Sequence, residues 1–331
     1  MAAPPAPTVY RVHTAPVSAL CYVPESPALL LTGDQNGLVT LLHRPTRRTL
    51  HAFVAAPSSS SVLSLSVLGD KTYVAQTRTA GVVAYDLEVH KEMWRIATGS
   101  ASFCRCAIGA YEAPLVACAN EHESTLAVWD ARSRDYVWQA TPDDVKCGML
   151  METRFLDAEH VAGVYEDGEL RVFSLKIASS PVNASRSSQL LSLAVQPNAN
   201  VATSFDVVST STSPLGCFTG MAGGASDQLA SFTFNLASGV GESTLFAGAH
   251  TAGKGTGVGM LRIRPSDGRI AAVASWDSRV RIVHVTTSRH LAVLKDHAKA
   301  VQCVAFSRDG SLLASGGSSC LIAEYCNLFT L

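Results

Sequence analysis

Toward its C-terminal end the chain follows a simple grammar of apolar runs and turn residues. Val301-Gln-Cys-Val-Ala-Phe306 is followed by Ser307-Arg-Asp-Gly310, then by Leu312-Leu-Ala-Ser-Gly-Gly317 and, after a polar break, by Leu321-Ile-Ala-Glu-Tyr325. Runs this short, bounded by such residues, predict three strands rather than helices. His297 stands just before the first of them. The same order recurs upstream. His13, Val17-Ser-Ala-Leu-Cys-Tyr22, Leu29-Leu-Leu-Thr-Gly33 and Leu38-Val-Thr-Leu-Leu42 form a first unit, with Asn36-Gly37 as the hairpin turn between its last two strands. Val82-Val-Ala-Tyr-Asp86, Leu126-Ala-Val-Trp-Asp130 and Leu170-Arg-Val-Phe173 close the next three. Ser231-Phe-Thr-Phe234 ends a fifth, and Val280-Arg-Ile-Val283 a sixth.

The residues ending the third strands are Leu42, Tyr85, Trp129, Phe173, Phe234, Val283 and Tyr325, with gaps of 43, 44, 44, 61, 49 and 42. A period of about 40 to 45 residues resembles the WD repeat. The resemblance covers nearly the whole chain, although only Val128-Trp129-Asp130 matches the signature dipeptide literally. It implies an all-β fold, a seven-bladed WD-repeat β-propeller over residues 1–331 with four antiparallel strands per blade. A ring must close, because an open edge exposes unpaired backbone groups. Thr8-Val-Tyr-Arg-Val12 is the expected donor of the missing outer strand, pairing with Cys320 to Tyr325. The excess length of the fifth unit falls in residues 179–213, rich in Ser, Asn, Thr and Pro, where a long surface loop is expected.

Composition narrows the partners. Charged residues make up 16% of the chain and the formal net charge is -1, so no broad field gathers nucleic acid or anionic lipid. No stretch approaches the roughly 18 to 20 apolar residues that cross a bilayer as a helix, and the start has no signal-like apolar run. A soluble protein of the cytoplasm, the nucleus or both is expected. Nine scattered cysteines fit a reducing compartment, where thiols serve as small buried hydrophobes. Cys104 and Cys106 share one strand face without a second pair, and are read as core rather than metal ligands.

Several residues look like chemistry. His297 with Ser315, His13 with Thr32, and Asp167 and Asp277 in second hairpin turns could be assembled into a Ser-His-Asp triad. In WD repeats this set, with the third-strand tryptophan, here Trp129, is a structural tetrad inside each blade. The tetrads here are degraded, with Asn36 and Ser319 at aspartate positions and Leu42 and Val283 at tryptophan positions. Gly253-Lys-Gly-Thr-Gly-Val-Gly259 lacks the spacing of a phosphate loop and precedes a strand, so it reads as a connection between blades. Asn183-Ala-Ser185 matches a glycosylation acceptor by letters only. No catalytic residue, cofactor site or metal site is expected. Trp94 and Trp138 are expected in outer strands. Trp276 precedes a turn aspartate at the upper rim, where an aromatic side chain suits a partner anchor, with Arg279 beside it. Arg262 and Arg264 align with apolar Val304 and Phe306 of the seventh unit, so either they find carboxylates such as Asp267 or Asp277, or the sixth blade opens onto a polar channel or contact surface; with Trp276 and Arg279 they make up the expected protein-binding patch.

A narrower resemblance is carried by Val258-Gly-Met-Leu-Arg-Ile-Arg-Pro265, Ala274-Ser-Trp-Asp-Ser-Arg-Val-Arg-Ile-Val283, Leu291-Ala-Val-Leu294, Ala300-Val-Gln-Cys-Val-Ala-Phe306 and Gly163-Val-Tyr-Glu-Asp-Gly-Glu-Leu170. These resemble the guanine-nucleotide-binding-protein β-subunit-like protein one family, whose fungal relatives are called ASTRA-associated protein one. The resemblance implies a non-catalytic adaptor acting with the TTT co-chaperone to mature and stabilise phosphatidylinositol-kinase-related protein kinases. Two other readings stand beside it. One is a chromatin or peptide reader, which an acidic ring for basic tails would support. The other is a G-protein β-like subunit, disfavoured because only about a dozen Pro/Ala-rich residues precede His13.

Overall fold

The computed structural model describes residues 6–56, 60–69, 71–110, 114–142, 146–176, 189–196, 201–209, 216–248 and 255–326. Among them are seven sheets of four antiparallel strands. The innermost strands are β2 (Val17–Val23), β6 (Val62–Leu68), β10 (Ala107–Ala110), β14 (Leu150–Phe155), β18 (Ala202–Ser209), β22 (Val258–Ile263) and β26 (Val301–Phe306). Each packs against the next, and β26 returns to β2, so the sheets form a closed ring of blades around a central channel. The fold is a seven-bladed β-propeller, and every third-strand residue used to count the repeats lies in the third strand of its blade.

Position in the blade explains the sequence of each strand. β23 (Ile270–Ser275) lies inside its sheet with neighbouring blades on both faces, and it is buried along its length. It therefore reads as a continuous run of small and branched apolar residues. β5 (Arg48–Val54), an outer strand, is largely exposed and carries Arg48, Thr49 and His51. Blades also approach one another closely near the axis. A Cβ on Gly33 would meet the Val62 side chain at 2.7 Å, one on Gly223 would meet Val258 at 2.7 Å, and one on Gly316 would meet Val17 at 2.7 Å. At three junctions, then, a glycine of one blade's second strand receives the valine that opens the next blade.

Ring closure joins the two ends of the described chain. β1 (Thr8–Tyr10) pairs with β28 (Ile322–Cys326), placing Thr8 opposite Glu324 and Tyr10 opposite Ile322. The closing strand is thus shorter than the expected Thr8 to Val12, though in the expected place. Glu324 is buried on this seam. Its carboxylate accepts from Tyr10 Oη at 3.2 Å and takes a two-pronged contact from Arg44 of blade one, Nε at 2.5 Å and Nη2 at 2.6 Å. Burial, with Glu324 beside it, pushes the Tyr10 phenol up to about 12.

The stretch 179–213 needs a correction. Gln189–Ala194 within it is β17, the outer strand of blade four, and Ala202–Ser209 is β18, the inner strand of blade five. The extra length therefore does not belong to the fifth repeat alone. Residues 179–188, including Asn183, with 197–200 and 210–213, lie outside the described residues, as does most of the connection before Gly255.

Deleting residues 1–12 removes β1 and leaves β28 as an open edge, so the truncated protein is expected to melt earlier and to be less soluble. Glu324→Gln is expected to cost about 2 kcal/mol or more. The loss stays short of the roughly 3–5 kcal/mol of a fully buried pair, because Arg44 also bonds the Pro27 carbonyl. Thermal melts of both variants check the closure; unchanged melting of the truncated chain contradicts it.

Candidate functional site

The residues that mimic a catalytic triad are tied up inside their own blades. In blade one, His13 Nδ1 lies 2.9 Å from Asp34 Oδ2 and Nε2 lies 2.7 Å from Thr32 Oγ1, all three side chains being buried. The acid is Asp34, not Asn36 as the sequence alignment had it. Asp34 also accepts the backbone N–H groups of Asn36 and Leu38 through Oδ1, which sets the turn into the third strand. Burial alone would raise its carboxyl, but the His13 hydrogen bond and these amides hold it below its ordinary value. In blade seven, His297 Nε2 meets Ser315 Oγ at 2.8 Å and Nδ1 meets Ser319 Oγ at 3.2 Å, as the repeat alignment expected. Tyr325, in the tryptophan position, donates to Asp296 at 2.8 Å.

The other tetrad residues behave differently. Asp167 is gripped by Arg171, Nη1 at 3.1 Å and Nη2 at 2.6 Å, and Asp277 by Arg281 at 2.9 and 2.6 Å. These acids hold the arginine four residues on, in the third strand. Arg171 also lies over the Tyr165 ring at 4.8 Å. The signal was present as Asp-x-x-x-Arg in both blades. Trp129 is packed edge-on against Tyr136, with centroids 5.6 Å apart, and among the described residues no tetrad forms around it. Cys118 occupies the place of Thr32 and Ser315, opposite Ala127 as those stand opposite Thr40 and Ala323.

Inside the channel lies a charge cluster that sequence reading half saw. Arg262 donates through Nη2 to Glu152 Oε1 at 2.8 Å, reaching from blade six to blade four. Arg154 donates to the same oxygen at 2.9 Å and to Asp206 of blade five at 3.1 Å. The other oxygen of Glu152 accepts from Ser204 Oγ at 2.6 Å and from the Phe205 amide at 3.1 Å, with Arg105 Nη1 at 3.8 Å. Burial by itself would push the Glu152 carboxyl up; Arg154, Arg262 and Arg105 outweigh it and hold the group at about 2. Burial and the neighbouring Arg154 lower Arg262. Arg264 does not join the cluster, because Asp267 three residues on pins it. Comparing inner strands for charge in apolar columns, which exposed Arg262, would also have found Arg105, Glu152, Arg154 and Asp206.

The upper mouth of the channel, where the inner strands begin, opens into a cavity of about 820 Å³ whose lining includes Arg78, Phe103, Arg105, Met151, Trp276 and Gln302. Trp276 is 38% exposed and Phe103 50% exposed. The Trp276 ring lies on Gly257, where a Cβ would come within 2.3 Å of it, and Trp276 N–H donates to the Gly257 carbonyl at 3.0 Å. Only a glycine leaves room for the ring to lie flat there. Arg279 is half-buried and bonds the Ser278 carbonyl at 3.1 Å; it is not part of the lining. The four residues singled out as one binding patch are therefore separated. Trp276 stands at the upper mouth, Arg262 lines the opposite end of the channel, Arg264 is bound to Asp267, and Arg279 lies aside.

Trp94 and Trp138 lie in outer strands β9 (Glu92–Ile96) and β13 (Tyr136–Ala140). Cys104 and Cys106 are buried, and burial pushes the Cys106 thiol up to about 11. Among the described residues no group of three His, Cys, Asp or Glu side chains could hold a metal ion. Among the same residues no helix is long and apolar enough to cross a membrane.

Glu152→Gln is expected to cost about 3–5 kcal/mol, because three guanidinium groups would then face one carboxylate. Arg262→Met in the same chain should recover part of that loss, a coupling that chemical denaturation of the single and double variants measures. His297→Ala should cost about 1–3 kcal/mol by leaving Ser315 buried without its partner. It should also flatten the acid side of the stability curve. Burial lowers the folded His297 to about 4, Asp296 offsetting only part, whereas the unfolded ring protonates near its ordinary 6.5. The unfolded state thus binds the proton first, so this stabilisation is whole above that value and is withdrawn as pH falls toward about 4.

Residues 288–323, which fall in blades six and seven, match the family model "WD domain, G-beta repeat". Guanine nucleotide-binding protein subunit beta-like protein 1 of Mus musculus is 26% identical over 331 aligned positions, covering 95% of this chain and 93% of the mouse protein. ASTRA-associated protein 1 of Aspergillus flavus is 50% identical over 60 residues, 18% of this chain and 14% of the fungal one. ASTRA-associated protein 1 of Pyricularia oryzae is 60% identical over 47 residues, 14% of this chain and 10% of its own length. The chain is a WD-repeat β-propeller similar to these β-subunit-like and ASTRA-associated proteins.

Proposed function

We propose that this chain is a non-catalytic adaptor whose protein partner docks over the upper channel mouth, and that it acts with the TTT co-chaperone in the maturation and stability of phosphatidylinositol-kinase-related kinases. The observation that carries the docking reading is the mouth itself, where two large aromatic side chains, Trp276 and Phe103, stand exposed around one cavity. Exposed aromatics in a concave site favour contact with another protein. The partner assignment draws on the similarity to ASTRA-associated protein 1 and on the resemblance of residues 258–306 to that family. On this reading the protein works in the cytoplasm or the nucleus.

The hydroxyls and imidazoles that could suggest hydrolysis support the non-catalytic reading, since Thr32, Ser315, His13 and His297 are buried and spent on each other. The chromatin alternative needs an acidic receptor for basic tails. The described lining of the mouth holds Arg78 and Arg105 and no carboxylate, which disfavours such a tail at this place.

Affinity purification of the tagged protein with mass spectrometry is expected to recover the co-chaperone and large kinases; histones or a γ subunit in their place would favour the alternatives. Trp276→Ala should weaken the partner interaction by at least about 2 kcal/mol while moving the melting temperature little. A destabilised variant whose folded fraction binds normally rules the anchor out.

A further inference from the structure

Arg78 is held ready for an anion. Its guanidinium lies 4.0 Å over the Phe103 ring, and its Nε donates to the Ala101 carbonyl at 2.9 Å. Neither Nη group has an acceptor among the described residues, yet the side chain is exposed and lines the mouth. Stacking and one backbone bond fix the plane of the fork in advance, so little further ordering is needed to grip a carboxylate. Arg105 forms the second positive group of the lining. It is anchored by Nη1 to the Thr203 carbonyl at 3.0 Å and by Nη2 to the Gly259 carbonyl at 2.6 Å.

Behind the mouth the charges cancel. Arg154 and Arg262 are matched by Glu152 and Asp206, and Arg105, at the lining, is the one positive charge in excess among these five groups. Low-dielectric walls focus such an excess toward the opening. The acids of the upper turns lie outside the described lining. Glu121 and Asp227, for example, are exposed on blades three and five and disfavour the approach of an acidic chain from that side.

We propose that the upper mouth receives an extended, glutamate- or aspartate-bearing segment of the protein partner, with Arg78 and Arg105 taking its carboxylates and Trp276 and Phe103 its apolar side chains. This rests on the docking reading above and specifies the chemistry of what docks. A cavity of about 820 Å³ admits a few residues of extended chain. Nucleic acid is a poor fit, since the described lining offers only Arg78 and Arg105 as positive groups, on a chain of net charge -1, and two arginines make no track for a phosphate backbone.

The test is fluorescence anisotropy with a labelled twelve-residue peptide rich in glutamate and leucine, beside counterparts in which every glutamate becomes glutamine, lysine or phosphoserine. The intact protein should bind the glutamate peptide at least about tenfold more tightly than the glutamine peptide. It should reject the lysine one and bind more weakly as salt rises. Arg78→Glu should cost at least about tenfold with unchanged melting, Arg78→Gln less, because Arg78 is exposed and holds one backbone carbonyl. Equal binding of the glutamine peptide, preference for lysine, binding of the phosphoserine peptide alone, no binding of any peptide, or indifference to Arg78→Glu overturns the proposal. The two readings fail separately. If Trp276→Ala weakens the whole partner while the peptides show no charge preference, docking at the mouth stands and its acidic chemistry falls. If the partner ignores both Trp276→Ala and Arg78→Glu, the docking reading itself falls.

Discussion

A ring of blades exists only if its last sheet can be completed, and here three residues complete it. β1 lends Thr8, Val9 and Tyr10 to β28, joining chain positions more than three hundred residues apart. So short a strand brings few backbone hydrogen bonds, and the seam gathers side-chain help. Glu324 binds Tyr10 on the closing strand and Arg44 on the first blade, so one buried carboxylate ties β28 both to the closing strand of its own blade and to blade one. The rest of the molecule depends on that seam, because β2 packs against β26 only in a closed ring.

Within the ring, polar side chains divide into two kinds of work. Those inside a blade fix turns: Asp34 with His13, Asp167 with Arg171, Asp277 with Arg281. Those in the channel fix blades to one another, Glu152 joining arginines from blades four and six and, through Arg154, Asp206 of blade five. A buried ion cluster of this sort gains little over apolar packing in stability, yet each member is costly to remove alone. The channel arginines consequently belong to the architecture first, while Arg78 at the mouth, stacked on Phe103, carries a charge the architecture does not consume.

The seven-fold count, the strand grammar and the identity of the closing strand were legible in the sequence because each rests on local patterning, two apolar runs and an alternating one between turns, repeated at a nearly constant spacing. His297 with Ser315 and His13 with Thr32 were legible for the same reason, since partners within one repeat keep a fixed offset. The third-strand tryptophan pattern misled at Trp129, where Cys118 replaces the hydroxyl. Turn alignment misled at Asn36, since Asp34, two residues earlier, has the reach to His13.

What the sequence could not determine is which side chains meet across the axis. Arg262 and Glu152 are 110 residues apart and belong to different blades, so no local offset relates them; only the curvature of the closed ring brings them to 2.8 Å. The same curvature separates residues that are neighbours in sequence. Arg264, two positions from Arg262, turns to Asp267, and Trp276 and Arg279 in one turn face different surroundings. Repeat spacing fixed the blades by itself, because strand pairing is a short-range property of the chain. The grouping of Trp276, Phe103, Arg78 and Arg105 around one opening was decided by tertiary structure alone, because it requires segments of three blades, two, three and six, to be placed on a common circle.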